Sequence, residues 1–214
     1  RWCGSEADGF RGPSDSGARM TNLPCTLDAA DATRLGLILL QADATLETEL
    51  SVLTPRGASA HVTRVPSGLE VTSETLPWMI AHLPAAAELL PRGHRFAAVA
   101  YACTSGTAVI GREKVAALVR EGVETEAVTD PVTALIAACR ALGLSRIGLI
   151  SPYVPEVSDR LRAILASDGI ETPLFGSFNI AEEEKVTRIS AASVIEAAEA
   201  LAAEGRVEAL FLSC

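Results

Sequence analysis

RLGLI at 34–38 returns as RIGLI at 146–150, and FAAVAYAC at 96–103 returns as VEALFLSC at 207–214. The first pair stands 112 positions apart (146 − 34) and the second 111 (214 − 103). The same offset of 112 lays ASAHVTRVPSG (58–68) over IETPLFGSFNI (170–180), so three apolar runs correspond in order. Runs of this length, rich in Val, Ile, Leu and Phe, read as buried strands, and the segments between them carry helical periodicity. Strand alternating with helix predicts a parallel α/β sheet with helical crossovers. The repeat predicts two such units: two pseudo-symmetric parallel-sheet α/β lobes with the active site in the cleft between them.

Working outward, strands are expected at 35–40, 58–65, 96–102, 124–129, 146–151, 170–178 and 207–213. Helices are expected near 45–53, 74–90, 107–121, 131–142, 155–167 and 190–204. The first lobe is placed at 34–129 and the second at 130–214. Residues 1–33 read as a leader or extension, because 1–19 are Gly- and Ser-rich without periodicity and stand just before Met20, which is taken as the natural start. Open α/β sheets bind ligands at the carboxyl ends of their strands, so the repeat brings two strand-end cysteines, Cys103 and Cys214, to one cleft.

Composition limits what the chain does. Hydrophobic residues make up 49% of the 214 and aromatics only 4%, which describes a core of Val, Leu, Ile and Ala. A net charge of -9 with no basic stripe argues against nucleic acid as a partner, since phosphate binding needs clustered Lys and Arg. No apolar run approaches the ~20 residues that span a bilayer, so no membrane partner is expected. The five cysteines at 3, 25, 103, 139 and 214 include no C-x-x-C pair, which disfavours a zinc site or a disulfide scaffold. Reduced thiols and a cytoplasmic location follow, with no metal. Neither a Walker loop nor a G-x-G-x-x-G after a strand occurs, so no nucleotide cofactor is expected.

Cys103 opens CTSGT, where hydroxyls and free backbone N–H groups would attract a carboxylate and lower the thiol pKa. The plainer reading is a small buried residue and an ordinary helix cap; the pairing with Cys214 favours chemistry. Two thiols facing a small acid from opposite sides make an acid/base pair, one taking a proton or attacking an alkene carbon and the other delivering a proton, with no cofactor.

With CTSGT (103–107), LSC (212–214), SPYVPEVSDRL (151–161) and QADATLETEL (41–50), the chain resembles the aspartate/glutamate racemase superfamily. Within it the chain is most similar to the maleate isomerase, arylmalonate decarboxylase and ectoine-utilisation branch. The resemblance implies that Cys103 and Cys214 are the catalytic pair and that Thr104 and Ser105 hold a carboxylate. It further implies that Tyr153 reaches toward substrate and that Asn179 binds it, although Tyr153 also reads as a packed loop aromatic and Asn179 as a turn residue. Asp43 stands where maleate isomerases carry an asparagine. A carboxylate there repels a dicarboxylate and points to a substrate bearing an amine or hydroxyl; its alternative role is a helix cap. Arylmalonate decarboxylases carry glycine at the first cysteine position, so Cys103 favours two-base chemistry.

The resemblance continues past Cys214, so a completing segment of the first lobe is expected beyond it. The expected activity is a cofactor-independent two-cysteine isomerase or racemase acting on a small amino or dicarboxylic acid, in ectoine utilisation. The alternatives are a decarboxylase with Cys214 as proton donor and a carboxylate-binding module whose cysteines are structural or redox-sensing. A homo-oligomer is compatible with the sequence. His61, His82 and His94 show no ligand spacing, Arg64 reads as exposed or ion-paired, and Glu182–Glu184 read as a solvated helix start.

Overall fold

Both copies of the repeat build the same sheet. The computed structural model describes residues 23–26, 33–93, 95–205 and 207–214; the expected leader at 1–33 therefore lies outside them apart from 23–26 and 33, Cys3 and Met20 included, as does His94. In the first sheet β1 (Thr33–Leu40) lies between β2 (Ala58–Val65) and β3 (Phe96–Tyr101), with β4 (Thr125–Thr129) outside β3. In the second, β5 (Arg146–Ser151) lies between β6 (Glu171–Ser177) and β7 (Ala209–Leu212). All pairings are parallel. The order β2-β1-β3 is therefore repeated as β6-β5-β7, and even the register carries over: Arg34 pairs with Ser59 as Arg146 pairs with Glu171, and Ile38 with Tyr101 as Ile150 with Leu212.

The glycine in each R-x-G-L-I run has a packing reason. A Cβ on Gly36 would come within 2.9 Å of Leu90 Cδ1, and one on Gly148 within 2.4 Å of Leu210 Cδ2. Each central strand thus lets a neighbouring side chain sit against its backbone.

The crossovers are α1 (Leu46–Leu53), a 3-10 turn (Leu76–Ala81) with α2 (Leu83–Glu88), then α3 (Thr104–Ile110) with α4 (Arg112–Gly122), and α5 (Pro131–Leu142). The second half adds α6 (Pro155–Ser167), α7 (Glu183–Val186) and α8 (Ala191–Ala202). Two expected helices divide. Residues 74–90 break because Pro77 and Pro84 each lack the N–H that would continue a helix and instead begin new segments. The helix expected at 107–121 starts three residues earlier, because Cys103 itself caps α3, and is interrupted at Gly111, whose φ of 96° closes α3 and opens α4.

That interruption lets α3 pack on the second half, against α5 and α6, while α4 returns to the first. The cores interlock accordingly. Tyr153 and Val157 enter the first core beside Ile38, Met79 and Tyr101, and Ala108 of α3 enters the second beside Ile136, Leu149 and Leu161. On the outside Asp168 joins Arg112 of α4 and Arg140 of α5, each at 2.7 Å. Residues 32–214 accordingly form one compact unit.

A last contact marks the relation between the halves. Glu70 and Glu182, 112 positions apart (182 − 70), form an isolated antiparallel bridge. Val71 N–H donates to Ala181 O at 2.7 Å and Glu183 N–H to Leu69 O at 3.0 Å. Under the same offset 69 corresponds to 181 and 71 to 183, so the two bonds are one bond seen twice. An approximate twofold axis runs through the crossing.

Among the described residues no helix is long and apolar enough to cross a membrane.

Candidate active site

The carboxyl ends of β1, β3, β5 and β7 open into one cavity of about 460 Å³. Its wall includes Asp43 after β1, Cys103, Thr104 and Ser105 after β3, Tyr153 after β5, and Ser213 and Cys214 after β7. Val71, Phe178, Glu183 and Phe211 complete the parts of the wall that matter below.

Cys103 sits in extended backbone as the cap of α3, and its Sγ accepts the N–H of Gly106 at 3.1 Å. Ser105 Oγ lies 3.5 Å from the same sulfur, and Thr107 Oγ1 donates to the Cys103 carbonyl at 2.8 Å. The close turn requires glycine at 106: a Cβ there would stand 2.3 Å from Tyr101 Oη and 2.9 Å from Cys103 Sγ. Tyr101, fully buried, donates its hydroxyl to Met79 Sδ at 3.2 Å and wedges the turn from below.

The expected lowering of the Cys103 pKa is overturned. Burial pushes the thiol up, and the bonds from Ser105, Gly106 and Tyr101 pull it only part of the way back, with the Glu183 carboxylate opposing them. Desolvation of a charged sulfur outweighs a short helix and three donors. Cys214 keeps an exposed edge, yet burial is again the largest influence and raises it to about 11, against a lowering contact with Tyr153. The charges of Cys103, Glu183 and Asp43 push in the same upward direction, so the two thiols and the two carboxylates share one electrostatic space. With both pKa values raised, both thiols are protonated at neutral pH.

Tyr153 lies beside Ser213 and Cys214 in the same cavity. Only 1% exposed, it accepts a hydrogen bond from Ser213 Oγ at 3.2 Å, and its own ionisation is opposed by burial first and then by Cys214 and Cys103. Its carbonyl is held by Ser177 Oγ at 2.6 Å and Ser158 Oγ at 3.2 Å.

With this geometry in view, residues 70–214 match the arylmalonate decarboxylase family over more than half of the chain. The chain belongs to that family. A maleate isomerase from Nocardia farcinica is 26% identical over 198 residues, covering 85% of this chain and 75% of that enzyme. A structure of N. farcinica maleate cis-trans isomerase, a cysteine-to-serine mutant with a covalently bound succinylcysteine intermediate, superposes with a TM-score of 0.72 at 26% identity, covering 86% of this chain and 78% of that one. A liganded double mutant of arylmalonate decarboxylase also reaches 0.72, at 22% identity over 85% and 77%, and shares the fold.

Of the residues singled out in this arylmalonate decarboxylase family member, the structure brings six together: Asp43, Cys103, Thr104, Ser105, Tyr153 and Cys214 all line the cavity. Asn179 does not join them. It is an exposed residue with φ of 54° in the turn after β6, and its backbone N–H donates to Ser177 Oγ at 3.0 Å. The tight left-handed turn, which asparagine tolerates, accounts for its presence. Asp43 does two things at once. Its Oδ1 accepts the N–H groups of Thr45 and Leu46 at 3.1 and 3.0 Å, as a cap would, while the residue also faces the cavity. Arg64 fixes this loop by donating to the carbonyls of Leu40 (3.0 Å) and Asp43 (2.8 Å) and pairing with Glu47.

Glu183 is the wall residue that sequence reading missed. It was grouped with its solvated neighbours, whereas it is half-buried in the cavity, where burial and then Asp43 raise its pKa. Carrying the 112-residue offset one turn beyond the strands would have paired it with Val71 and drawn notice.

Proposed function

We propose that this protein is a cofactor-independent isomerase or racemase of a small carboxylic acid, with Cys103 and Cys214 as its acid/base pair. The carrying observation is that two cysteines from equivalent strand ends line one cavity together with a buried tyrosine. The substrate carboxylate sits against Thr104 and Ser105. One thiolate takes the proton from the substrate carbon, breaking C–H and forming S–H, and the electron pair moves into the carboxylate as an enediolate. The opposite thiol then donates its proton to the other face, so the centre inverts and the two sulfurs exchange states. With an alkene substrate the same thiolate adds to carbon, the former double bond rotates, and the C–S bond breaks. The succinylcysteine of the Nocardia relative supports the second variant.

Burial makes the first thiolate costly, which fits a machine that ionises only with substrate in place. Gly106 N–H and Ser105 favour the charge on Cys103, and the Tyr153 hydroxyl favours it on Cys214.

The test is exchange in D2O followed by proton NMR with maleate, aspartate, 2,4-diaminobutyrate and an arylmalonate. Deuterium incorporation or isomer formation is expected with at least one, and Cys103→Ala and Cys214→Ala should each lose at least about a thousandfold. Full activity in both variants ends the proposal. The family match favours one second reading, decarboxylation, which predicts release of CO2 that depends on Cys214 and survives Cys103→Gly.

A further inference from the structure

Among the described residues the cavity wall holds Asp43, Glu49 and Glu183 and no lysine, arginine or histidine. Acidic residues on a surface mean little, but two of these differ from surface groups. The Glu183 side chain is half-buried and meets no hydrogen-bond donor or cation among the described residues; the influences on it are burial and the nearby Asp43. Asp43 spends one oxygen, Oδ1, on capping α1, and Oδ2 has no partner among the described residues. They come from opposite halves of the molecule, and Glu183 stands where the twofold axis puts Val71 in the other half. Asp43 opposes the charge on the half-buried Glu183, and its cap of α1 uses only one of its two oxygens.

An independent feature marks the same cavity as built for a ligand. Thr104 is 6% exposed and lines the wall, and its hydroxyl has no partner among the described residues yet is not cut off from solvent, so it is free to meet something that enters.

We propose that Asp43 and Glu183 form a cation-accepting subsite, so that the substrate is a monocarboxylate carrying a protonated amine and dicarboxylates are disfavoured. This deepens the reading given above and rests on it for the carboxylate end at Thr104 and Ser105. The ammonium group lies between the two acids and compensates both. Since Glu183 also opposes ionisation of Cys103, and Glu183 and Asp43 that of Cys214, the arriving cation removes part of the barrier to forming the thiolate. Substrate charge is then a condition of catalysis as well as of binding, and a dianion meets repulsion on both counts.

The experiment is calorimetric titration at low ionic strength with four probes of graded charge: maleate, aspartate, 2-aminobutyrate and 2,4-diaminobutyrate. The wild-type protein should bind 2,4-diaminobutyrate at least about tenfold more tightly than maleate, with the other two between. Glu183→Gln and Asp43→Asn should each reduce that ratio by about three- to tenfold; asparagine still caps α1, and circular dichroism confirms that each variant folds. If one does not fold, the other decides. Equal or tighter binding of maleate, an unchanged ratio in the folded variants, or no titration by any probe overturns the subsite. Because this readout is binding, it separates from the cysteine chemistry. A lost preference with exchange still dependent on both cysteines sinks the subsite alone, and an intact preference with exchange surviving both cysteine variants sinks the two-thiol reading alone.

Discussion

The strands of the two halves share an order and a register, and a cysteine follows the third strand of each, but the residues they send into the cavity are unlike. Under the 112-residue offset Gln41 stands opposite Tyr153, Asp43 opposite Pro155, and Val71 opposite Glu183. The tyrosine lies with the thiols, and the carboxylates lie near one another across the axis. Positions fixed by packing, such as Gly36 and Gly148, stayed equal; positions facing the cavity did not. A symmetric scaffold thus holds a site with direction: two cysteines at equivalent strand ends in non-equivalent surroundings.

The sharpest way to break the comparison is to disable one thiol by geometry alone. Gly106→Ala places a methyl against Tyr101 Oη and Cys103 Sγ, and we expect exchange to fall about a hundredfold or more while the melting temperature drops modestly. An unchanged rate would show that the position of Cys103 in its turn is irrelevant. Next comes thiol ionisation. Alkylation of Cys214 by iodoacetamide, followed by mass spectrometry, should run up to about a hundredfold slower at pH 8 than that of an unperturbed thiol and climb until the pH nears 11. The sign for stability follows: the folded state holds this proton to a higher pH than the unfolded chain, so the contribution is intact below about pH 9 and is lost as pH rises toward about 11.

Tyr153→Phe keeps the buried ring and removes the hydroxyl. Exchange through Cys214 should slow about tenfold, and the pH for half-maximal alkylation of that cysteine should rise while Cys103 changes less. Equal shifts at both sulfurs would mean that the tyrosine serves the halves alike. The smallest effect compares the two strand glycines. Gly148→Ala should destabilise by about 1–3 kcal/mol in urea unfolding and Gly36→Ala by less, since the nearest contact is 2.4 Å at Gly148 and 2.9 Å at Gly36. The reverse order would show that the shared R-x-G-L-I run is held for different reasons in the two sheets.

Strands and their order were legible because the apolar runs are short, rich in Val, Ile and Leu, and repeated; β2, β5, α5 and α6 have the expected bounds. The break at Gly111 was not, since a glycine within a helical pattern can be carried by a continuous helix and the packing of α3 on the second half accompanies the positive φ there. The direction of the Cys103 pKa was misjudged for a related reason: hydrogen-bond donors can be read from CTSGT, but the depth at which they are buried cannot. Asn179 and Glu183 differ from their expected places in opposite senses: Asn179 stands exposed in its turn, whereas Glu183, expected among solvated neighbours, lines the cavity from the twofold crossing.

That crossing has a further meaning. Reciprocal hydrogen bonds from Val71 to Ala181 and from Glu183 to Leu69 are what an isologous dimer makes at its symmetry axis, where one patch meets its own copy. Here the copies are joined by a covalent linker, so the patch no longer has to complement itself. One copy could keep valine while the other took glutamate, a change that in a true homodimer would appear on both sides and set two like charges facing each other.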